Sequence, residues 1–415
     1  MQFYQQKLDN GLQIVGETSR NAQSVALGFF VRTGARDETA EESGVTHFLE
    51  HMIFKGTERR TFLEVNRDFD RLGADYNAYT SEEQTVFHAA ILPEYLPQAI
   101  DLLADILRPS LREQDFDMEK NVILEEIGMY EDRPGTIAYD YAKRFFFANH
   151  ALGNSILGTP ESVSALTQVQ MLDYFHRRYV APNVIVSVAG NFDWHNFVDL
   201  IQQHCSHWPT GEVGRQGVTE VKSSRRVELQ TRDQVTQEHV IMMAPGPSAS
   251  SPFRFAADTL GVALGDDSGS RLYWALVDPG LVDSAGAGFS QYEGTGTLYT
   301  GFSCEPSQVE ENLAIVHRAY EEVQKDGITE EELQQAKAKI QSILVRRSER
   351  SMGRMLDLGN AWTYLGQYRS VDDDLAAFDA VTLDQIREVM ERYPITEQST
   401  FALGPLTSLG VASGE

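Results

Sequence analysis

His47, Glu50 and His51 lie within one five-residue stretch, HFLEH, inside the run Gly44 to Thr57. On a helix the two histidines stand one turn apart on a single face, where two imidazole nitrogens can meet one metal ion. Glu50 sits beside His51 and three residues after His47, within reach of a water at an open coordination position and able to take its proton. The order inverts the commoner His-Glu-x-x-His arrangement of metal-dependent hydrolysis. The plainer alternative is that both histidines decorate a helix whose buried side is Phe48, Leu49, Met52 and Ile53.

A metal site that keeps one position open for water or substrate needs a third protein ligand. Residues 117–130 read as a second helix, on which Glu119, Ile123, Glu126, Ile127 and Tyr130 fall along one stripe. Glu126 therefore faces inward among apolar residues, where a carboxylate is costly to desolvate unless it is paired or bound to metal. Glu125 turns toward a different side with Asn121 and Met118. Glu126 is the expected third ligand. Glu119 lies two turns earlier and either accepts a hydrogen bond that orients His51 or serves as an ordinary charge near a helix start.

The elements that must position these groups follow from hydrophobic period. Strands are expected at Leu12–Val15 and Val25–Val31, then the metal helix, then a hairpin from Tyr76 to Leu92 turning at Ser81-Glu82-Glu83-Gln84. His88 has no ligand-spaced partner and is expected to be a plain strand residue. A helix from Glu94 to Leu107 carries the stripe Leu96, Ile100, Leu103, Ile106, and Val184–Gly190 closes this half as a strand. From Val240 the pattern starts again, with a long charged helix from Thr329 to Arg350. Residues 166–190 and 381–404 both read helix, turn, strand, glycine, and 93–103 parallels 306–316, so the chain looks like a duplication.

The expected fold class is α+β, with two homologous sandwich domains of about 200 residues and helices packed on mixed or antiparallel sheets. The polar, glycine-rich stretch from Pro209 to Gly217 marks the join. The boundaries are a metal-binding domain over 1–210, a linker over 211–222 and a second domain, without the metal motif, over 223–415.

GARDE followed by GVTHFLEHMIFKGT, from Gly34 to Thr57, resembles the pitrilysin family of inverted zinc metallopeptidases. GADYNAYTSEEQTVFHAAIL at 73–92 is similar to that family's active-site edge strand, EKNVILEEI at 119–127 to its downstream glutamate helix, and HALGNSILGTPESV at 150–163 to a further block. The resemblance implies one Zn2+ per chain held by His47, His51 and Glu126, with Glu50 as catalytic base and Glu119 as a carboxylate behind the ligands. It also implies that Asn77, Ala78, Tyr79 and Thr80 form the strand against which an extended peptide substrate lies. An edge strand suits that role, because its unpaired N–H and C=O groups grip a main chain with little sequence dependence. The implied activity is endopeptidase cleavage of peptides or unfolded segments. The family also contains members that assemble complexes without cutting, so a non-catalytic core or scaffold subunit is the rival expectation.

In this family the second half often carries an arginine and a tyrosine that grip substrate. GDDSGSRLYWALVDPGLVDSAGAGF at 265–289 is similar to the block that holds them, but Val277 and Asp283 stand at those places. Arg271 and Tyr273 belong to the structural part of that block. The resemblance therefore implies a homologous second subunit that supplies the missing pair, or otherwise a homodimer using other donors such as Tyr292.

Composition argues against nucleic acid and anionic membranes as partners. With 35 basic against 61 acidic residues and a net charge of -26, the chain is a poor match for nucleic-acid phosphates or anionic membranes. Cys205 and Cys304 lack a metal-ligand spacing and are expected to be reduced and structural. The N-terminus shows no basic start followed by an apolar core, which makes a bacterial cytoplasmic protein the simplest expectation, with an exported or processed organellar form as the alternative.

Overall fold

The computed structural model describes residues 1–213, 215, 221 and 225–410; of the expected linker, residues 214, 216–220 and 222 lie outside the described residues. The chain forms two compact units, each assembled from separated stretches of sequence. The first takes residues 1–128, 154–216 and 346–369, and the second takes 129–153, 217–345 and 370–415.

The first unit is built on a six-stranded mixed sheet. Its strands are β1 (Gln2–Lys7), β2 (Gln13–Thr18), β3 (Val25–Val31), β4 (Asp75–Thr80), β5 (Thr85–Ile91) and β6 (Val184–Gly190), in the spatial order β1-β2-β6-β3-β5-β4. Only β2 and β6 run parallel. Strand alternation divides the side chains between two faces. Leu27, Phe29, Val31, Phe87, Val186 and Val188 enter the main core beneath helices α1 (Val45–Ile53), α2 (Phe62–Leu72) and α3 (Leu96–Ile106). Val15, Ala26, Phe30, Val86, Ile185 and Ala189 point the other way, onto Met355 and Leu358 of the helix Ser351–Leu365. The sequence boundaries assign residues 351–365 to the second domain, 223–415, whereas this helix packs in the first unit. Its place follows from the apolar second face, which no local segment covers.

The second unit repeats the plan. Strands β7 (Val227–Thr231), β8 (Glu238–Gly246), β9 (Ala285–Gln291), β10 (Gly296–Cys304) and β11 (Ser399–Gly404) are ordered β7-β11-β8-β10-β9. The single parallel pair is β7 with β11, the counterpart of β2 with β6, and the remaining pairs are antiparallel in both sheets. The sequence echo of 166–190 in 381–404 is thus an echo of central strands, β6 and β11. Apolar residues of α5 (Pro134–Phe147) join Met243, Phe401 and Leu403 in one cluster of this unit. The two-domain α+β architecture read from the sequence is the one observed. Both cysteines are free and buried, and among the described residues no helix is long and apolar enough to cross a membrane.

Candidate metal centre

Helix α1 starts at Gly44, whose φ of 89° lies in the left-handed region that favours glycine. A Cβ there would meet the Leu157 carbonyl oxygen at 2.8 Å. The helix end is capped from a distance: Glu38 Oε2 accepts the Gly44 N–H and Oε1 the Thr46 N–H, both at 2.8 Å. The Thr46 hydroxyl meets Tyr174 OH at 2.7 Å, and that phenol meets the Thr33 hydroxyl at 2.7 Å. Phe48, Leu49, Met52 and Ile53 are buried beneath the helix, which leaves His47, Glu50 and His51 on its open flank.

The helix α4 (Glu113–Glu131) brings Glu126 to that flank. Its Oε2 lies 3.4 Å from His51 Nε2 and 3.8 Å from His47 Nε2, and one ligand atom from each of the three residues falls within 4.8 Å of the others. A tetrahedral zinc with bonds of about 2.0–2.1 Å separates its ligand atoms by about 3.3 Å, so this donor set fits with small adjustments. His47 is buried, and its Nδ1 finds no hydrogen-bond partner among the described residues, which leaves Nε2 as the nitrogen aimed at the cluster. Burial, helped by His51, pushes the His47 imidazolium down to about 3, so the ring is neutral and its lone pair is free at neutral pH.

His51 is the opposite case. Burial works against its charged form, but the Glu119 hydrogen bond and the charges of Glu126, Glu50 and Glu119 outweigh it and raise its pKa. The same negative field that favours a proton there favours a divalent cation. Glu119 Oε1 lies 3.0 Å from His51 Nδ1, and its Oε2 lies 2.5 Å from Lys55 Nζ. Burial alone would raise the Glu119 pKa, yet His51 and Lys55 together lower it, which keeps it an acceptor for the imidazole N–H.

Glu50 is half-buried beside them. Desolvation raises its pKa and Glu126 adds to the rise, while the hydroxyl of Thr80 and the charge of His51 pull it back. Its Oε2 accepts a hydrogen bond from Thr80 Oγ1 at 2.6 Å. Thr80 ends β4, the last strand of the sheet, and Asn77, Ala78 and Tyr79 precede it with only β5 hydrogen-bonded alongside among the described residues. Strand alternation puts Asn77 and Tyr79 on the face opposite Thr80, together with His88, which pairs with Asn77. His88 is therefore turned away from the cluster.

Sequence reading placed the triad and the edge strand but passed over Glu38, Lys55 and the Thr80 hydroxyl. Lys55 follows His51 by one helical turn, a spacing that could have found it; Glu38 is six residues before Gly44 in a loop with no period to read.

In the second unit Val277 ends a π-helical turn, Tyr273–Val277, and Asp283 is exposed. Arg271 is committed to Glu332, with Nη2 to Oε2 at 2.9 Å. Tyr292 is buried, edge-on to Phe147.

Comparison with known proteins gives a consistent result. A family model described as insulinase (peptidase family M16) matches residues 13–160, and one described as peptidase M16 inactive domain matches residues 165–340. An uncharacterized zinc protease of Streptomyces coelicolor is 35% identical over 410 residues, covering 96% of this chain and 89% of that protein. The mitochondrial-processing peptidase subunit beta of Pongo abelii is 27% identical over 419 residues, covering 97% and 84%. A protease from Helicobacter pylori shares the fold with a TM-score of 0.88 at 22% identity, covering 97% of this chain and 99% of that one.

Proposed function

The chain belongs to the insulinase (M16) peptidase family, and from that footing we propose that it is a zinc-dependent endopeptidase of peptides and unfolded polypeptide segments. The observation that carries this reading is the convergence of His47, His51 and Glu126 within 4.8 Å, next to a half-buried Glu50. His47, His51 and Glu126 would hold the ion. A bound zinc would supply a Lewis acid that polarises the scissile carbonyl and lowers the pKa of a water so that it gives up its proton readily.

The chain's own residues do the rest. Glu50 takes the proton of the attacking water and returns it to the leaving amine, a role that suits its half-buried place beside the cluster. Glu119 holds the His51 ring in the orientation that presents Nε2. The outer edge of Asn77, Ala78, Tyr79 and Thr80 binds the substrate main chain as an added strand, which favours extended, unfolded segments over folded ones.

Zinc does not by itself supply all the donors that a developing oxyanion calls for. With Val277 and Asp283 in place of the expected arginine and tyrosine, a homologous second subunit is the proposed source of that pair. The relative from Pongo abelii, a subunit by name, supports this arrangement. A homodimer is the second arrangement. A bacterial cytoplasmic setting completes the reading, its bacterial part supported by the Streptomyces relative; the division into 1–210, linker 211–222 and 223–415 is proposed for the two sequence repeats alone, because the compact units draw residues 129–153 and 346–369 across it.

The test is Glu50→Gln. Hydrolysis of an unstructured fluorogenic peptide should fall by about 10²–10⁴-fold while bound zinc stays at the wild-type level. Hydrolysis at the wild-type rate removes Glu50 from the base role. A protein that binds no zinc and cuts nothing, alone or with a co-purified homologous chain, is a scaffold subunit instead.

A further inference from the structure

We propose that the Thr80 hydroxyl is a positioning group that fixes the Glu50 carboxylate, so that the strand expected to take the peptide also sets the base. The inference rests on the zinc-peptidase reading and adds to it a residue whose side chain and main chain do different jobs.

Three observations carry it. First, Thr80 Oγ1 donates to Glu50 Oε2 at 2.6 Å, while no protein donor meets Oε1 among the described residues. One carboxylate oxygen is held and the other is left open to the reacting water. Second, Thr80 is anchored on its inner side. It pairs with Thr85, whose hydroxyl donates to the Thr33 carbonyl at 2.9 Å, and the turn that follows is closed by Ser81 N–H to Gln84 O at 2.8 Å. Arg36 N–H donates to Glu82 O at 2.8 Å and the Arg36 guanidinium meets Glu83 at 2.5 Å, so the turn is clamped to the loop that leads into α1. Third, α1 does not depend on Thr80 for its place, because Glu38, Thr46 and Tyr174 already hold its N-terminal end.

A glutamate side chain has three rotatable bonds, and a base displaced by about 1 Å can lose about 10²-fold in rate. The short bond to Thr80 removes that freedom. Pairing of a peptide along the outer edge of β4 orders the same residue through its backbone, so substrate engagement and base alignment act through one position.

Thr80→Val keeps the shape and β-branching and removes only the hydroxyl; Thr80→Ser keeps the hydroxyl. The measurements are kcat and KM on an unstructured peptide with the zinc-loaded full chain, zinc content after dialysis, and Tm. Thr80→Val should lower kcat by about 10- to 100-fold, with KM within about twofold, and with zinc content and Tm as in the wild type. Thr80→Ser should recover most of kcat. Wild-type kcat in Thr80→Val, a loss that appears only in KM, a loss of zinc, or a loss that Thr80→Ser does not recover each overturns the assignment. Glu50→Gln run in parallel separates the two levels: an active Glu50→Gln overturns the base role itself, whereas an inactive Glu50→Gln beside a normal Thr80→Val overturns only the inference about Thr80.

Discussion

Arg354 grips Glu17 with two hydrogen bonds, Nε to Oε1 at 3.0 Å and Nη2 to Oε2 at 2.6 Å, across 337 positions of sequence. Both side chains are almost wholly buried, and Tyr368 OH donates to the same Glu17 oxygen at 2.6 Å. The pair ties the helix Ser351–Leu365 to β2. Removing one partner leaves a buried charge uncompensated, so Arg354→Met should destabilise the protein by about 3–5 kcal/mol. The double variant Glu17→Gln, Arg354→Met should lose less than that. Urea unfolding of the three proteins checks both statements; an unchanged midpoint in the single variant shows the pair to be neutral.

The carboxyl of Glu38 should make stability fall with pH. Burial pushes it up to about 8, with Glu42 adding slightly and the Thr46 and Gly44 hydrogen bonds only partly offsetting the rise. Below about 4.5 it is protonated both folded and unfolded, and its contribution is fully present. Between there and about 8 the unfolded chain has lost the proton while the folded one keeps it, so each pH unit removes up to about 1.4 kcal/mol from this group's contribution. Glu38→Gln cannot titrate. Its amide nitrogen also cannot accept a second N–H, so it should be less stable at low pH but show a flatter curve, read as unfolding free energy from pH 5 to 8.

Zinc should stabilise the folded chain through its ligands. A ligand at 1,000 times its Kd adds about 4 kcal/mol to the folded state, seen as a rise in Tm on addition of zinc to chelator-treated protein. Glu126→Gln should lose most of that rise, and hydrolysis should vanish with chelator and return with zinc. An equal rise in wild type and variant would take Glu126 out of the ligand set.

Glu119 acts on the ion only through His51, so its effect should be graded. Glu119→Gln weakens the hold on the imidazole N–H and gives up the ionic partner of Lys55. Metal affinity should drop by about 10- to 100-fold, measured by competition with a chromogenic chelator. An unchanged affinity would reduce Glu119 to a partner for Lys55.

Gly34 is required by close approach and not by its dihedral angles. A Cβ there would lie 2.3 Å from the Ser81 carbonyl oxygen and 2.5 Å from the Glu82 carbonyl carbon, at the turn that follows the edge strand. Gly34→Ala must push that turn away and should cost about 1–3 kcal/mol. Because the turn anchors β4, KM for peptides should rise as well. Thermal unfolding and steady-state kinetics read the two effects.

Where an interaction follows a period it could be read in advance. The one-turn spacing of His47 and His51, and the inward stripe that carries Glu119 and Glu126, come from helical geometry alone, and both helices fall where that spacing placed them. The β4–β5 hairpin, with its turn at Ser81–Gln84, was visible as alternation flanking a polar tetrapeptide. Contacts without a period were not visible. Glu38 reaches the start of α1 from a loop, and Thr80 reaches Glu50 across a gap that no spacing rule spans. The helix Ser351–Leu365 was hidden for another reason: its apolar residues signal a buried face but not which sheet buries it, and the sequence read the preceding charged helix on to Arg350, whereas it stops at Ser348.

Because the first unit draws on residues 346–369, its completion is an event late in translation. A nascent chain that has left the ribosome only as far as Val345 holds every strand of the six-stranded sheet, yet Phe30, Val86 and Ile185 still lack the Met355 and Leu358 side chains that shield them. Such an intermediate exposes apolar surface from the completion of β6 until the helix Ser351–Leu365 is made, and invites aggregation or chaperone capture. Neither half of the polypeptide, expressed by itself, is equivalent to a folded unit.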